Sequence, residues 1–191
     1  MTDKRVLRSR ILAQREALSE DQINTLSLRV ITSLRESNLL AQSARVMAYI
    51  RCRGEVDLSL LFDWLEHREK RLAFPKVASK IDGWMQPYYI GKPWRNNLAL
   101  GAFNILEPSG DINPADPAQL DLVLVPGVAF DRDLYRIGFG GGFYDRFLPR
   151  LGAHSLKIGI AYQFQLVSKV PRDTHDIPLD GVCTEQGLFL K

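Results

Sequence analysis

Val6, Leu7, Ile11 and Leu18 recur at roughly helical spacing, which predicts a helix from near the start of the chain. A second helix is predicted to begin within LSEDQI. There Ser19 can cap the amide near Gln22, Gln22 can reach back, and Leu18 can staple against Ile23. Ile23, Leu26, Val30 and Leu34 then continue one apolar stripe. The pattern changes at RVMAYI (45–50), which reads as a strand followed by RCRGEVD. Leu58, Leu61 and Leu65 return to helical spacing, capped by Asp57 and closed by the basic HREKR. RLAFPKV is the next strand. A strand, a helix-length crossover and a strand predict parallel pairing and an α/β fold.

From 81 to 117 the signal weakens. IDGWMQPYYI reads as a turn and a strand, after which Pro93, Gly101, Pro108, Gly110, Pro114 and Pro117 punctuate an irregular region. Trp84, Tyr88, Trp94 and Phe103 need burial or a ligand, so the region is assigned to loops of the same domain. LDLVLVPGVAFD (120–131) is nearly unalternating, the pattern of a central strand buried on both faces. KIGIAY follows as a short strand, and GVCTEQGLFL as a terminal hairpin turning across Gln186 and Gly187.

At 191 residues and 46% hydrophobic side chains, the chain fits one globular domain spanning 1–191. It has no run of eighteen apolar residues and no secretory pattern at its start, so a cytoplasmic location without membrane contact is expected. Cys52 and Cys183 form no CxxC or Cys/His cluster, which points to reduced structural thiols. A net charge of +3, from 25 basic and 22 acidic residues, is too balanced to imply nucleic acid. Locally, Lys4, Arg5, Arg8, Arg10 and Arg15 face a single acid, Asp3, before Glu16. That run reads either as a solvated helix face or as an attraction for a phosphate-bearing ligand.

RIGFGGGFYDRFLPR (136–150) places Gly138, Gly140, Gly141 and Gly142 within five positions. They fall between the predicted central strand and a short helix starting near Gly142, on the side where open parallel sheets bind ligands. Bare backbone can turn several N–H groups into one concavity that complements a phosphate oxygen. The segment is neither a Walker A loop nor GxGxxG, since Phe143 takes the last position, and a tight turn with close backbone approach explains it equally well. Arg136 and Arg146 could neutralise phosphate charge, and Asp145 is a hard oxygen ligand suited to hydrated magnesium. Asp145 could equally cap locally or pair with Arg146 or Arg150. Downstream, VPRDTHDIPLD offers His175, Asp176 and Asp180, where an aspartate could share a cation or THD could form a side-chain-stabilised turn.

DLVLVPGVAFD, RIGFGGGFYDRFL, GIAYQFQ and VPRDTHDIPLDGVCTE, in this order and near these separations, closely resemble the 5-formyltetrahydrofolate cyclo-ligase family, also called 5,10-methenyltetrahydrofolate synthetases. KRVLR at the N-terminus, RGEVD after the first strand, and FPKV with its Lys76 extend the resemblance over nearly the whole chain. It implies an ATP- and Mg2+-dependent enzyme that converts 5-formyltetrahydrofolate to 5,10-methenyltetrahydrofolate, releasing ADP and phosphate. It also implies a single three-layer α/β/α domain with a mixed, largely parallel sheet and an N-terminal helical pair. By position, Lys4, Arg5 and Arg8 match nucleotide contacts, as do Arg136, Ile137, Gly138, Phe139, Gly140, Gly141, Gly142, Phe143 and Tyr144 in the phosphate loop. Phe139 through Phe143 also approach the folate. Ile50 and Glu55 match residues that hold the pterin and formyl end, Phe103 an aromatic wall, and Asp145 and Asp176 the magnesium carboxylates. Many relatives carry tyrosine where this chain has Phe139 and Phe143, which keeps the rings and removes two hydroxyls.

Three rivals accompany this resemblance: a non-catalytic nucleotide or folate binder, a nucleic-acid binder, and a small kinase or ligase acting on another acyl compound. The expected partners are a reduced folate and ATP, with no nucleic acid, and a monomer or weak homodimer.

Overall fold

Helix α1 (Lys4–Glu16) begins where the Asp3 carboxylate accepts a hydrogen bond from the Arg5 amide. Helix α2 (Glu20–Glu36) begins at Ser19, where the reciprocal capping box with Gln22 forms as its sequence predicts. These elements belong to a computed structural model, which describes residues 3–173 and 176–191. His175 lies outside the described residues. Ile23, Val30 and Leu34 of the predicted stripe are buried on α2, with Leu26 partly so, whereas Val6 on α1 faces solvent.

A short helix α3 (Leu39–Gln42) leads into strand β1 (Arg45–Met47), and helix α4 (Ser59–His67) crosses to strand β2 (Arg71–Ser79). Asp57 supports the start of α4 by accepting from the Ser59 amide at 2.8 Å. β1 and β2 pair in parallel, as the crossover length requires. β3 (Trp84–Ile90) turns back antiparallel to β2.

The irregular region contains more strand than its sequence predicts. β4 (Leu98–Leu100) pairs with β5 (Leu106–Pro108), and β6 (Ile112–Pro114) adds to β3. β5 and β6 each end in proline, which lacks an amide donor; β6 is an edge strand, where that loss is tolerated. Trp94 is buried edge-on to Phe62 and Phe74, with ring centroids 5.1 and 6.2 Å away.

The predicted single strand over 120–131 is two strands. β7 (Leu122–Val125) is fully buried in the main sheet, and β8 (Ala129–Asp131) belongs to a separate small sheet. Pro126 cannot donate to a ladder, and Gly127 leaves room for the Phe130 ring, 2.5 Å from where a Cβ would sit. β9 (Arg136–Ile137) pairs antiparallel with β8, and the glycine segment leads from it into the short helix α5 (Phe143–Phe147). The glycines therefore follow the small sheet, not the central strand directly.

β10 (Leu156–Ile160), β11 (Leu166–Val167), β12 (Gly181–Thr184) and β13 (Gly187–Leu190) complete the chain. β12 and β13 form the predicted hairpin, but Glu185 and Gln186 make the turn, because Gly187 already pairs with Thr184. The main sheet runs β13-β12-β10-β7-β1-β2-β3-β6, and β11-β8-β9 forms the small one. The contiguous run from β12 to β2 is parallel, and β13, β3 and β6 attach antiparallel.

On one face of this mixed sheet, Val30, Leu34, Leu40, Leu61 and Leu65 of α2, α3 and α4 bury Val46, Phe74, Leu124 and Ile160. On the other, Phe147 of α5 and Leu148 pack with Met47, Val123 and Val125. This gives the three-layer α/β arrangement, with a thin second helical layer. Helix α1 packs instead on the small sheet, through Leu7, Ile11, Val128, Ala129 and Ile137. Cys52 and Cys183 are free thiols. Among the described residues, no helix is long and apolar enough to cross a membrane.

Candidate active site

The parallel strands β1, β7 and β10 all point their C-terminal ends the same way, and the segments leaving those ends carry Glu55, Gly127 and Tyr162. Open parallel sheets place ligands at this end. Helix α1, lying on the small sheet, brings its basic residues to the same place. The Arg8 guanidinium donates through Nε to the Gly138 carbonyl at 2.9 Å. Lys4 Nζ lies 2.6 Å from Asp173 and 3.1 Å from Asp176. Burial draws the Lys4 pKa down, but its bonds to those two carboxylates outweigh it and the net direction is up.

Arg136, on β9, is nearly fully buried and donates to Asp145 in the first turn of α5 at 2.7 Å. Burial pulls the guanidinium pKa downward, opposed by Asp145, Tyr144 and Asp176. The electrostatic reach of Arg136 thus includes both aspartates. Among the described residues no cluster of three or more His, Cys, Asp or Glu gathers as a metal cage. Two carboxylates, each facing a cation beside the glycine loop, are hard oxygen donors of the kind that suits Mg2+. Asp145 and Asp176 therefore fit as a donor set.

Two glycines in the loop meet a steric requirement. Gly142 sits at φ 68°, and a Cβ there would lie 2.2 Å from Arg146 Nη1; a Cβ on Gly141 would lie 2.8 Å from the Phe143 ring. Phe143 meets Phe103 edge-on at 5.9 Å between centroids, and Phe103 is largely exposed with Lys80 over its ring. Phe139 projects to the other side, with the guanidinium carbons of Arg15 and Arg53 5.2 and 5.6 Å from its ring centre.

Glu55 is 5% exposed. Its Oε2 accepts from the Cys52 amide at 3.1 Å and lies 3.5 Å from the Cys52 thiol, while Oε1 is 3.7 Å from Arg15 Nη1, longer than a hydrogen bond. Burial raises the Glu55 pKa, and Arg15 and the Cys52 amide oppose the rise. The same surroundings push the Cys52 thiol up to about 12, mainly by burial and then by Glu55, which favours the protonated form. Burial, then the Glu55 charge, also drives the Tyr144 phenol well up. Glu55 Oε1, Arg15 Nη2, Arg136 Nε and the Tyr144 hydroxyl are buried with no hydrogen-bond partner among the described residues. Such groups are costly unless a ligand or water completes them.

The structure thus joins Arg8 to the loop, Lys4 to Asp176, Arg136 to Asp145, Phe103 to Phe143, and, through Arg15, Phe139 to Glu55. Three residues stand apart. Arg5 is exposed and bonded to Asp3, the Ile137 side chain packs beneath α1, and Ile50 is half-buried against the main core. Lys76 Nζ donates to the Pro108 carbonyl at 3.0 Å. A surface cleft of about 780 Å³, lined in part by Arg35, Trp64, Arg68 and Lys70, lies where β1 and β2 begin and shares none of these residues.

Arg15 corrects the reading of the N-terminal basic run as a solvated face, because its side chain is fully buried. The signal was present: Leu7, Ile11 and Arg15 are spaced by four, so Arg15 continues the apolar stripe that α1 buries.

The chain is 40% identical to the Aquifex aeolicus 5,10-methenyltetrahydrofolate synthetase whose NMR structure is known. That match covers 98% of this chain and 92% of the other at a TM-score of 0.86. The 5,10-methenyltetrahydrofolate synthetase structure from Mycoplasma pneumoniae matches at 30% identity and TM-score 0.78, over 96% of this chain and 99% of that one. The 5-formyltetrahydrofolate cyclo-ligase of Escherichia coli strain K12 is 30% identical over 176 residues, 91% of this chain and 96% of its own length. The model of the 5-formyltetrahydrofolate cyclo-ligase family matches residues 1–185. This protein belongs to the 5-formyltetrahydrofolate cyclo-ligase family.

Proposed function

We propose that this chain, as one catalytic domain, converts 5-formyltetrahydrofolate to 5,10-methenyltetrahydrofolate with ATP as co-substrate, releasing ADP and phosphate. Family membership supports the conversion. The observation that carries it here is that one glycine loop is flanked by two chemically different groups of side chains. At one end Arg136 meets Asp145, and on the other side Phe139 packs over Arg15, which faces Glu55.

In this reading, Lys4, Arg5, Arg8 and residues 136–144 take the nucleotide phosphates. Arg5 reaches them from solvent, and Ile137 acts through its backbone. Asp145 and Asp176 would hold Mg2+, which, when bound, neutralises phosphate charge. The folate lies against Ile50, Glu55, Phe103 and Phe139 through Phe143, with Glu55 Oε1 accepting from pterin N–H groups. The formyl oxygen attacks the γ-phosphorus as its bond to ADP breaks. Nitrogen 10 then attacks the formyl carbon, phosphate leaves with that oxygen, and the nitrogen 10 proton is released. The chain's part is positioning and charge stabilisation, and no protein nucleophile is needed. The reading further places the enzyme in the cytoplasm, free of nucleic acid and membrane, as a monomer or weak homodimer.

Stoichiometry tests it. One ADP should form per methenyl product, and a non-hydrolysable ATP analogue should give none. ADP released without folate conversion, or conversion without ADP, contradicts the reading.

A further inference from the structure

Arg15 is a fully buried guanidinium, which is costly unless each donor finds a partner. Nε donates to the Arg53 carbonyl at 2.8 Å and Nη1 to the Gly127 carbonyl at 3.1 Å. These bonds tie α1 to the segment carrying Glu55 and to the exit of the central strand. A Cβ on Gly54 would lie 2.9 Å from the Arg15 carbonyl, so the same segment is pressed against the helix backbone as well. Phe139 of the glycine loop covers the guanidinium. What remains is Nη2, a buried donor on the guanidinium whose Nη1 lies 3.7 Å from Glu55 Oε1, and Oε1 itself, a buried acceptor, neither with a hydrogen-bond partner among the described residues.

We infer that Arg15 is the specificity-determining partner of Glu55: its charge faces the carboxylate and its Nη2 is a free donor on the same guanidinium, so that the pair selects a ring edge carrying N–H groups next to a carbonyl oxygen. This rests on the folate reading of the site and deepens it. A 2-amino-4-oxopteridine edge presents N–H donors to Glu55 and an oxygen to Arg15. A 2,4-diaminopteridine presents an amino group where that oxygen would be, so it places a donor against a donor. Buried polar groups left unpaired by the wrong ligand are the physical source of such discrimination.

The test compares inhibition of cyclisation by 2-amino-4-oxopteridine and by 2,4-diaminopteridine in the wild type, Arg15→Met and Arg15→Lys, with the KM for ATP measured alongside. The wild type should prefer the oxo compound by about tenfold or more, since a lost buried hydrogen bond is worth that much. Arg15→Met should reduce the preference to the part that Glu55 reads alone, the N3 hydrogen that the diamino ring lacks, while leaving the KM for ATP within about twofold, whereas a merely structural role would weaken both pteridines alike. Because a buried arginine can be needed for folding, each variant is checked by thermal melting. Arg15→Lys keeps the charge but loses the planar fork, and should fold with a reduced preference. A folded variant with the wild-type preference overturns the inference while leaving the cyclisation reading intact. A wild type that makes no methenyl product and binds neither pteridine overturns both.

Discussion

Arg8 donates to the Gly138 carbonyl at 2.9 Å across 130 residues, so the first helix and the glycine loop are one mechanical unit. Arg8→Ala should raise the KM for ATP by about tenfold, the scale of one lost hydrogen bond to a charged group. The melting temperature should stay nearly unchanged, because Arg8 lies at the edge of the helix packing. Steady-state kinetics at saturating folate check this. An unchanged KM for ATP would separate the helix from the nucleotide site.

Gly142 holds a left-handed conformation that costs other residues about 1–2 kcal/mol, and Arg146 occupies the space of an added methyl. Gly142→Ala should therefore lower the melting temperature by about 2–8 °C, given that 1 kcal/mol shifts a domain of this size by about 2–4 °C. It should also cut kcat/KM by about tenfold or more through the displaced loop. Calorimetry and kinetics on one preparation decide whether both effects occur together.

Glu55 has its pKa raised by burial, and the groups facing it are Arg15, Cys52, Tyr49 and Tyr144. If the charged carboxylate accepts the pterin N–H groups, folate affinity falls as pH drops through this raised value. The acid limb should thus lie above the usual glutamate value of about 4.3. Glu55→Gln should erase that limb and weaken folate far more than ATP. Linkage runs the other way for folding: the native state holds this proton more tightly, so the group's contribution to stability is present at low pH and is lost as pH rises through its folded pKa.

Ser19 accepts from the Gln22 amide while Gln22 returns a bond to the Ser19 amide. Ser19→Ala should cost about 1 kcal/mol. On a domain of this size that lowers the melting temperature by about 2–4 °C, with kcat unchanged. A fall in kcat would mean that the start of α2 acts on the segment carrying Glu55, which Glu20 reaches through Arg51 at 2.8 Å.

Features set by neighbours along the chain were legible in the sequence. The Ser19–Gln22 box, the α4 crossover and the Thr184–Gly187 hairpin each follow from residues within a few positions of one another or from one helix length. Features set by distant partners were not. LDLVLVPGVAFD reads as one strand because its apolar run is continuous, yet its second half leaves the main sheet to pair with β9 and β11. β6 was hidden because its proline signals a break, and only β3 alongside makes it a strand. At the site, the motif residues are visible in order; the spacing of Arg15 from Leu7 and Ile11 marks it as part of the buried stripe, but only the packing of α1 on the small sheet shows that its charge is turned inward toward Glu55.

In the proposed reaction the two halves of this site act on one folate and one ATP, and near-ultraviolet absorbance follows the product itself. Purified protein is mixed with 5-formyltetrahydrofolate, ATP and Mg2+, and the band of the conjugated amidinium of the methenyl product is followed. The band should grow only when both ATP and Mg2+ are present. In Asp145→Asn, which can still accept from Arg136, growth should slow by about a hundredfold or more, as for loss of one electrostatic stabiliser. Absence of the band in a folded wild type that still binds ATP would rule out the proposed cyclisation and leave the glycine loop serving a different acceptor.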